Sequence, residues 1–227
     1  MKIIECTQGT PEWFGARVGI PTASEFDSII SPGKWEPRKG ETPQTYLAKK
    51  LAEWWMGTPL LAGGAWATDQ GQALEKEAIP WFEFEYNTTV QRVGFVTSDD
   101  GRIGCSPDGL IGDDSGIEAK CPDAHTHVKN LLRGEVPPDY LAQVHGSMFV
   151  TGRSSWRFLS YRRGFPALVL TVDRDEAIQG AIGDALGAFL ERFEAGKNRL
   201  KELNGGERQA SVVPTSTEPA EEWVSPF

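Results

Sequence analysis

Two carboxylates and a lysine stand ten and twelve positions apart in "CSPDGLIGDDSGIEAKCP", residues 105–122. Asp108 lies in a Pro-Gly turn, and Glu118, Ala119 and Lys120 follow among apolar neighbours. Strand side chains alternate between faces, so Ile117 and Ala119 would face one side while Glu118 and Lys120 share the other. On an exposed edge strand such an ion pair contributes at most about 1 kcal/mol. Ile117 and Cys121, with Leu110 and Ile111, argue instead for an interior strand, where charge is costly to desolvate unless compensated. A divalent cation held by Asp108 and Glu118 would compensate it, because hard cations select carboxylate oxygens. The chemistry that needs this set is phosphodiester hydrolysis, in which metal ions activate water and neutralise charge developing on the phosphate. Lys120 would position or help deprotonate the attacking water.

The elements around this stretch must hold it. Thr10-Pro11-Glu12 predicts a helix start, with a capping hydroxyl and a proline at the first position, and a stop near Gly19. "TASEFDSII", residues 22–30, predicts a second helix with Thr22 or Ser24 near its cap, and residues 31–41 read as a surface loop. Thr42-Pro43 opens a helix striped by Tyr46, Leu47, Leu51, Trp54 and Trp55. Helical spacing returns from about Trp66 to Phe84, with Glu75 near the edge of a face made by Leu74, Ala78, Trp81 and Phe82. The period then shortens: "TTVQRVGFVT", "IGCSP" and "GIEAKC" read as consecutive strands with turn residues between them. "PDYLAQVHGSMFVTG" is a helix closed by Gly152, with Tyr140 and Gln143 on one face. "SSWRFLSY" and "ALVLTV" form a further strand pair, and Asp173 is expected to cap a final helix reaching about Leu203. The layout predicts a mixed α/β fold with a small central sheet flanked by helices.

The chain has 227 residues, enough for one sizeable core, and is expected to form one domain over residues 1–206 with a flexible acidic tail at 207–227. Its net charge is −9, of which −6 belongs to the body, which excludes nucleic-acid binding by bulk electrostatics and demands a locally basic channel instead. Cys6, Cys105 and Cys121 are an odd number at wide spacing, no basic-then-apolar leader opens the chain, and no apolar run approaches the roughly 20 residues of a membrane helix. A cytoplasmic protein without a membrane partner is the expectation.

Two flanking segments sharpen the reading. "GQALEKEA" carries Gly71 and Glu75 as GxxxE ahead of the strands, and "YLAQVHGSMFVTG" follows them. The order GxxxE, CSPDGL, GIEAKCP, YxAQVxxSMxVTG, preceded by "EWFGARVGIPTASEF", resembles the lambda exonuclease (YqaJ-type viral recombinase) family of PD-(D/E)XK nucleases over about residues 10–195. The resemblance implies the PD-(D/E)XK fold and a magnesium-dependent 5'-to-3' exonuclease, with Mn2+ able to substitute, that digests linear double-stranded DNA to leave 3' overhangs for phage-type recombination. It implies that Asp108, Glu118 and the Ala119 carbonyl hold the metal, with Glu75 a further acidic ligand, direct or through water. Lys120 would be the catalytic lysine, Gln143 would orient it or the water, and Arg17 and Ser24 would grip the 5'-phosphate. A ring-shaped homotrimer and a single-strand annealing partner belong to the same expectation. Two positions depart from the family: Gln70 with "AWATD" replaces an aromatic and a nearby lysine, and His145 stands where a second glutamine is common.

Competing readings are a PD-(D/E)XK endonuclease or RecB-like repair nuclease, and a non-catalytic DNA-binding recombination scaffold. Three cysteines cannot supply the four thiolates of the iron-sulfur nucleases, and an exonuclease would spare closed circular DNA. His125 and His127 are expected to be loop polar groups rather than zinc ligands. The tail ends in Trp223, Pro226 and Phe227 behind Glu221 and Glu222, resembling the acidic tips of bacterial single-stranded DNA-binding proteins. It is expected to dock on a host repair protein or a neighbouring subunit.

Overall fold

The structure, a computed structural model, describes residues 1–60 and 69–206, without the side chains of 69–73 and 75. The Trp66 loop and the tail residues Trp223, Pro226 and Phe227 lie outside the described residues.

The amino-terminal half runs β1 (Lys2–Ile4), α1 (Pro11–Ala16), a 3-10 helix (Ala23–Ser28), a hairpin of β2 (Ile30–Ser31) and β3 (Glu36–Pro37), α2 (Glu41–Met56) and α3 (Asp69–Glu85). Thr10 caps α1 as expected, accepting from the Trp13 N–H at 3.4 Å. The helix expected over residues 22–30 is a 3-10 helix over Ala23–Ser28, followed by Ile30 in β2, and the Thr22 side chain before it does not cap it; the Thr22 hydroxyl lies instead 3.3 Å from that of Ser24. The expected surface loop holds the β2–β3 hairpin, which turns at Trp35 in a positive-φ conformation and packs that ring edge-on against His145.

The second half runs β4 (Val90–Gln91), β5 (Phe95–Thr97), β6 (Gly104–Cys105), β7 (Gly109–Ile111), β8 (Ser115–Lys120), α4 (Ala124–Arg133), α5 (Pro138–Thr151), β9 (Ser155–Ser160), β10 (Leu168–Asp173) and α6 (Glu176–Leu203). Asp175, not Asp173, caps α6: its carboxylate accepts from the Ala177 and Ile178 N–H groups, while Asp173 is taken up in the β9–β10 ladder opposite Ser155. Gly152 closes α5 in the left-handed conformation that glycine adopts without steric cost.

Five strands form a mixed sheet in the order β10-β9-β8-β7-β4, with β8 and β9 parallel and the other pairs antiparallel. The run "TTVQRVGFVT" is two strands rather than one. β4 joins this sheet, whereas β5 joins β1 and β6 in a separate three-stranded sheet. Gly94, between them, shows why: a Cβ there would lie 2.0 Å from the Cys6 carbonyl oxygen, so only glycine lets the segment after β1 come this close.

Alternation along β8 holds. Ile117 and Ala119 pack with Leu159 against Ala78, Ile79 and Phe82 of α3, while the register opposite Phe158 keeps Glu118 on the other face, beneath α5. On that face Gly116 lies opposite the fully buried Trp156, and a Cβ on Gly116 would meet the indole ring at 2.4 Å. Gly116→Ala is therefore expected to destabilise the protein by about 1–3 kcal/mol through overpacking. Urea unfolding measures this, and an unchanged midpoint would show that the ring can retreat.

Candidate active site

Glu118 is 3% exposed on the interior strand β8. Its Oε1 lies 2.6 Å from Lys120 Nζ and accepts from Gln143 Nε2 at 2.7 Å, so the carboxylate is gripped from its own strand and from α5. Its Oε2 is buried with no hydrogen-bond partner among the described residues. Burial lifts the Glu118 pKa to about 7 against the pull of the Lys120 ammonium, and the charge of Asp108 adds to the rise. Burial draws Lys120 down, but the Glu118 charge and hydrogen bond outweigh it and leave the ammonium above its ordinary value. The Tyr140 ring, stacked on Phe158, faces Lys120 Nζ at 5.0 Å.

Asp108 closes the other side. β7 begins at Gly109, so the Ala119 N–H of β8 has passed the end of its strand partner; Asp108 Oδ2 accepts it at 2.7 Å in place of a backbone carbonyl. Burial pushes the Asp108 carboxyl above the usual range although this N–H and the Lys120 charge pull it down. The orphaned Glu118 oxygen and a second carboxylate with oxygen to spare form the donor set a hard divalent cation selects. Among the described residues no third His, Cys, Asp or Glu completes a cluster with them. Glu75 is on α3, which covers the Ile117–Ala119 face; its side chain lies outside the described residues.

A second constellation forms around Arg17. Its guanidinium stacks over Trp13 at 4.2 Å and donates to Ser106 Oγ at 2.8 Å and Thr22 Oγ1 at 3.3 Å. Thr22 connects Arg17 to Ser24, so these two residues share one cluster. Ser106 was not singled out from the sequence, although it stands two residues before Asp108, and Thr22 was expected only near a helix cap. Arg17 also lines a cavity of about 180 Å3 with Trp13, Lys49, Lys50, Glu25 and Glu53.

His125 and His127 are on a helix rather than a loop, and they point to different tasks. His125 is exposed beside Asp123, whereas His127 is fully buried, bonded to Ser160 Oγ at 2.8 Å and to the Pro166 carbonyl at 2.9 Å. The carbonyl can only accept, so Nε2 carries a proton and donates to it. The helix itself was missed, although Asp123 and Gly134 at its ends are ordinary start and stop signals.

The Asp108–Ala119 bond separates charge from scaffold. Asp108→Asn keeps an acceptor for the Ala119 N–H and is expected to unfold within about 1 kcal/mol of the unmutated protein. Asp108→Ala strands that N–H and should cost about 1–3 kcal/mol. Comparison of the two variants by urea unfolding checks this, and equal stabilities would show that the bond contributes nothing.

Residues 12–154 match the model of the YqaJ-like viral recombinase domain. No curated protein sequence matches the chain. Among solved structures, the alkaline exonuclease LHK-Exo from Laribacter hongkongensis aligns with a TM-score of 0.77 at 31% identity, over 86% of this chain and 98% of that one. The same exonuclease in complex with dAMP aligns at 0.76 with the same identity and coverage. A phage-related exonuclease from Haemophilus somnus 129PT, at 15% identity, TM-score 0.59 and coverage of 81% and 96%, shares the fold. The mixed sheet flanked by helices is thus the PD-(D/E)XK fold of these alkaline exonucleases, and the chain belongs to the YqaJ-like viral recombinase family.

Proposed function

We propose that this protein is a magnesium-dependent 5'-to-3' exonuclease that digests linear double-stranded DNA and leaves 3' single-stranded overhangs for phage-type recombination. The observation that carries the reading is the buried Glu118, with one oxygen bound by Lys120 and Gln143 and the other without a partner, next to Asp108. Divalent metal use is general among exonucleases of this fold. Asp108, Glu118 and the Ala119 carbonyl, with Glu75, would hold the ion, which supplies charge neutralisation at the phosphate and an acidified water when bound.

The chain's own groups do the rest. Gln143 fixes the Glu118 carboxylate so that Oε2 keeps one direction. Lys120, held between Glu118 and the Tyr140 ring, presents an ammonium N–H to the attacking water or a phosphate oxygen. The water oxygen bonds to phosphorus as the P–O3' bond breaks, and the leaving O3' takes up a proton. The released nucleotide ends in a 3'-hydroxyl and the shortened strand in a new 5'-phosphate. Arg17, Ser24 and Ser106 would receive that phosphate, since arginine and hydroxyl donors form charge-assisted hydrogen bonds to it. A relative is crystallised with dAMP, a deoxynucleoside monophosphate and thus of the class such cutting releases. The same reading includes a homotrimeric ring around the duplex, a single-strand annealing partner, and a tail at residues 207–227 that docks through Trp223, Pro226 and Phe227.

Linear duplex should be digested in Mg2+ or Mn2+ and spared in chelator, while closed circular DNA survives throughout. Asp108→Asn and Lys120→Ala should each slow digestion by roughly 10²–10⁴-fold; full activity in either would sink the site assignment. Ends bearing a 5'-phosphate should be digested faster than 5'-hydroxyl ends, and Arg17→Ala should erase most of that difference. Resection from 3' ends would overturn the polarity.

A further inference from the structure

A buried carboxylate in the wall of the Arg17 cavity holds the turn that carries Arg17. Glu53 on α2 is 4% exposed, and its Oε2 accepts both Lys50 Nζ at 3.0 Å and the Gly19 N–H at 3.2 Å, while Oε1 accepts the Leu60 N–H at 3.4 Å. Gly19 is the third residue of a turn that starts at Arg17 and closes with the Ile20 N–H donating to the Arg17 carbonyl at 3.1 Å. Its φ is +68°, and a Cβ there would lie 3.0 Å from Trp54 Cβ, so α2 lies flush against the turn. Seven residues before Glu53 and on the same helix face, Tyr46 accepts the Thr22 N–H at 3.3 Å. The backbone that bears Arg17, Thr22 and Ser24 is thus suspended from α2 at two points. Burying a carboxylate and an ammonium is costly where apolar groups would pack as well, and what an apolar residue could not do here is accept the Gly19 N–H.

We propose that Glu53 is the positioning residue for terminal-phosphate recognition: by fixing Gly19 it sets where the Arg17 guanidinium meets the 5'-phosphate. This rests on the reading of Arg17 as the phosphate ligand. Glu53 is 4% exposed and acts through this turn, so its removal moves specificity rather than chemistry.

The test compares linear duplexes with 5'-phosphate and 5'-hydroxyl ends in the unmutated protein, Glu53→Met and Glu53→Asp, measuring kcat, KM and urea stability for each. Glu53→Met fills the space but offers the Gly19 N–H no carbonyl or carboxylate acceptor; Glu53→Asp keeps a charge opposite Lys50 but is one methylene too short to hold Gly19 and Leu60 together, so it decides the matter if the methionine variant does not fold. The advantage of phosphorylated ends is expected to fall about tenfold, through KM, while the rate on hydroxyl ends is unchanged. A preference that survives in a folded variant overturns the inference and leaves the Arg17 reading standing. A parallel loss on both ends, or loss of folding in both variants, also overturns it by making Glu53 purely structural. Equal rates on the two ends in the unmutated protein overturn the phosphate reading itself, and the role of Glu53 with it.

Discussion

A carboxylate in the middle of a β-sheet is tolerated only in particular company. Glu118 meets that condition by drawing Lys120 from its own strand and Gln143 from α5. α5 can deliver Gln143 because it is pressed onto the sheet on one side and onto the 3-10 helix on the other, where a Cβ at Gly146 would meet the Phe26 ring at 2.5 Å. The 3-10 helix carries Ser24 and follows Thr22, so the packing that brings Gln143 to Glu118 also sets the Arg17 cluster. The two constellations are one mechanical unit with α5 as the shared wall.

The sheet face of Glu118 was legible because strand alternation is a local property: Ile117 and Ala119 could be sorted from Glu118 and Lys120 by parity alone. Gln143 and Tyr140 were likewise placed on one face by helical spacing. What local pattern could not show was long-range pairing. β1 acquires its identity only by pairing with β5, ninety-odd residues away, and the break at Gly94 is explained by the Cys6 carbonyl rather than by its sequence neighbours. Asp173 looked like a cap because it precedes a helical run, but the β9–β10 ladder reaches it first and passes the role to Asp175. Glu53 was invisible for the same reason: on the sequence it is a polar residue in an amphipathic helix, and its worth depends on a turn thirty-odd residues earlier.

The net charge of −9 shows how little bulk electrostatics says about a site of this kind. Around the Arg17 cavity the chain gathers Arg17, Lys49 and Lys50 and answers them with Glu25 and Glu53, which bond the two lysines. Arg17 donates to hydroxyls, of Ser106 and Thr22. With the lysines answered in this way, the proposed phosphate recognition would rest on the Arg17 guanidinium and its hydroxyl neighbours, itself within the field of Glu25 and Glu53, rather than on a charged surface that salt would screen.

The hairpin between β7 and β8 also gives the spacer from Asp108 to Glu118 a meaning as a length. Gly109 opposes Ile117 and Ile111 opposes Ser115, with the chain reversing through residues 112–114, so the two carboxylates meet only because the arms match residue for residue. Strand parity has a period of two, so a one-residue insertion or deletion absorbed by slipping β8 would turn Glu118 toward Ala78 and Ile79 and bring an apolar neighbour under α5. Drift in this family should therefore tolerate substitutions in the reversal far more readily than changes in its length, and length changes that do survive should come in pairs or be taken up in the turn alone.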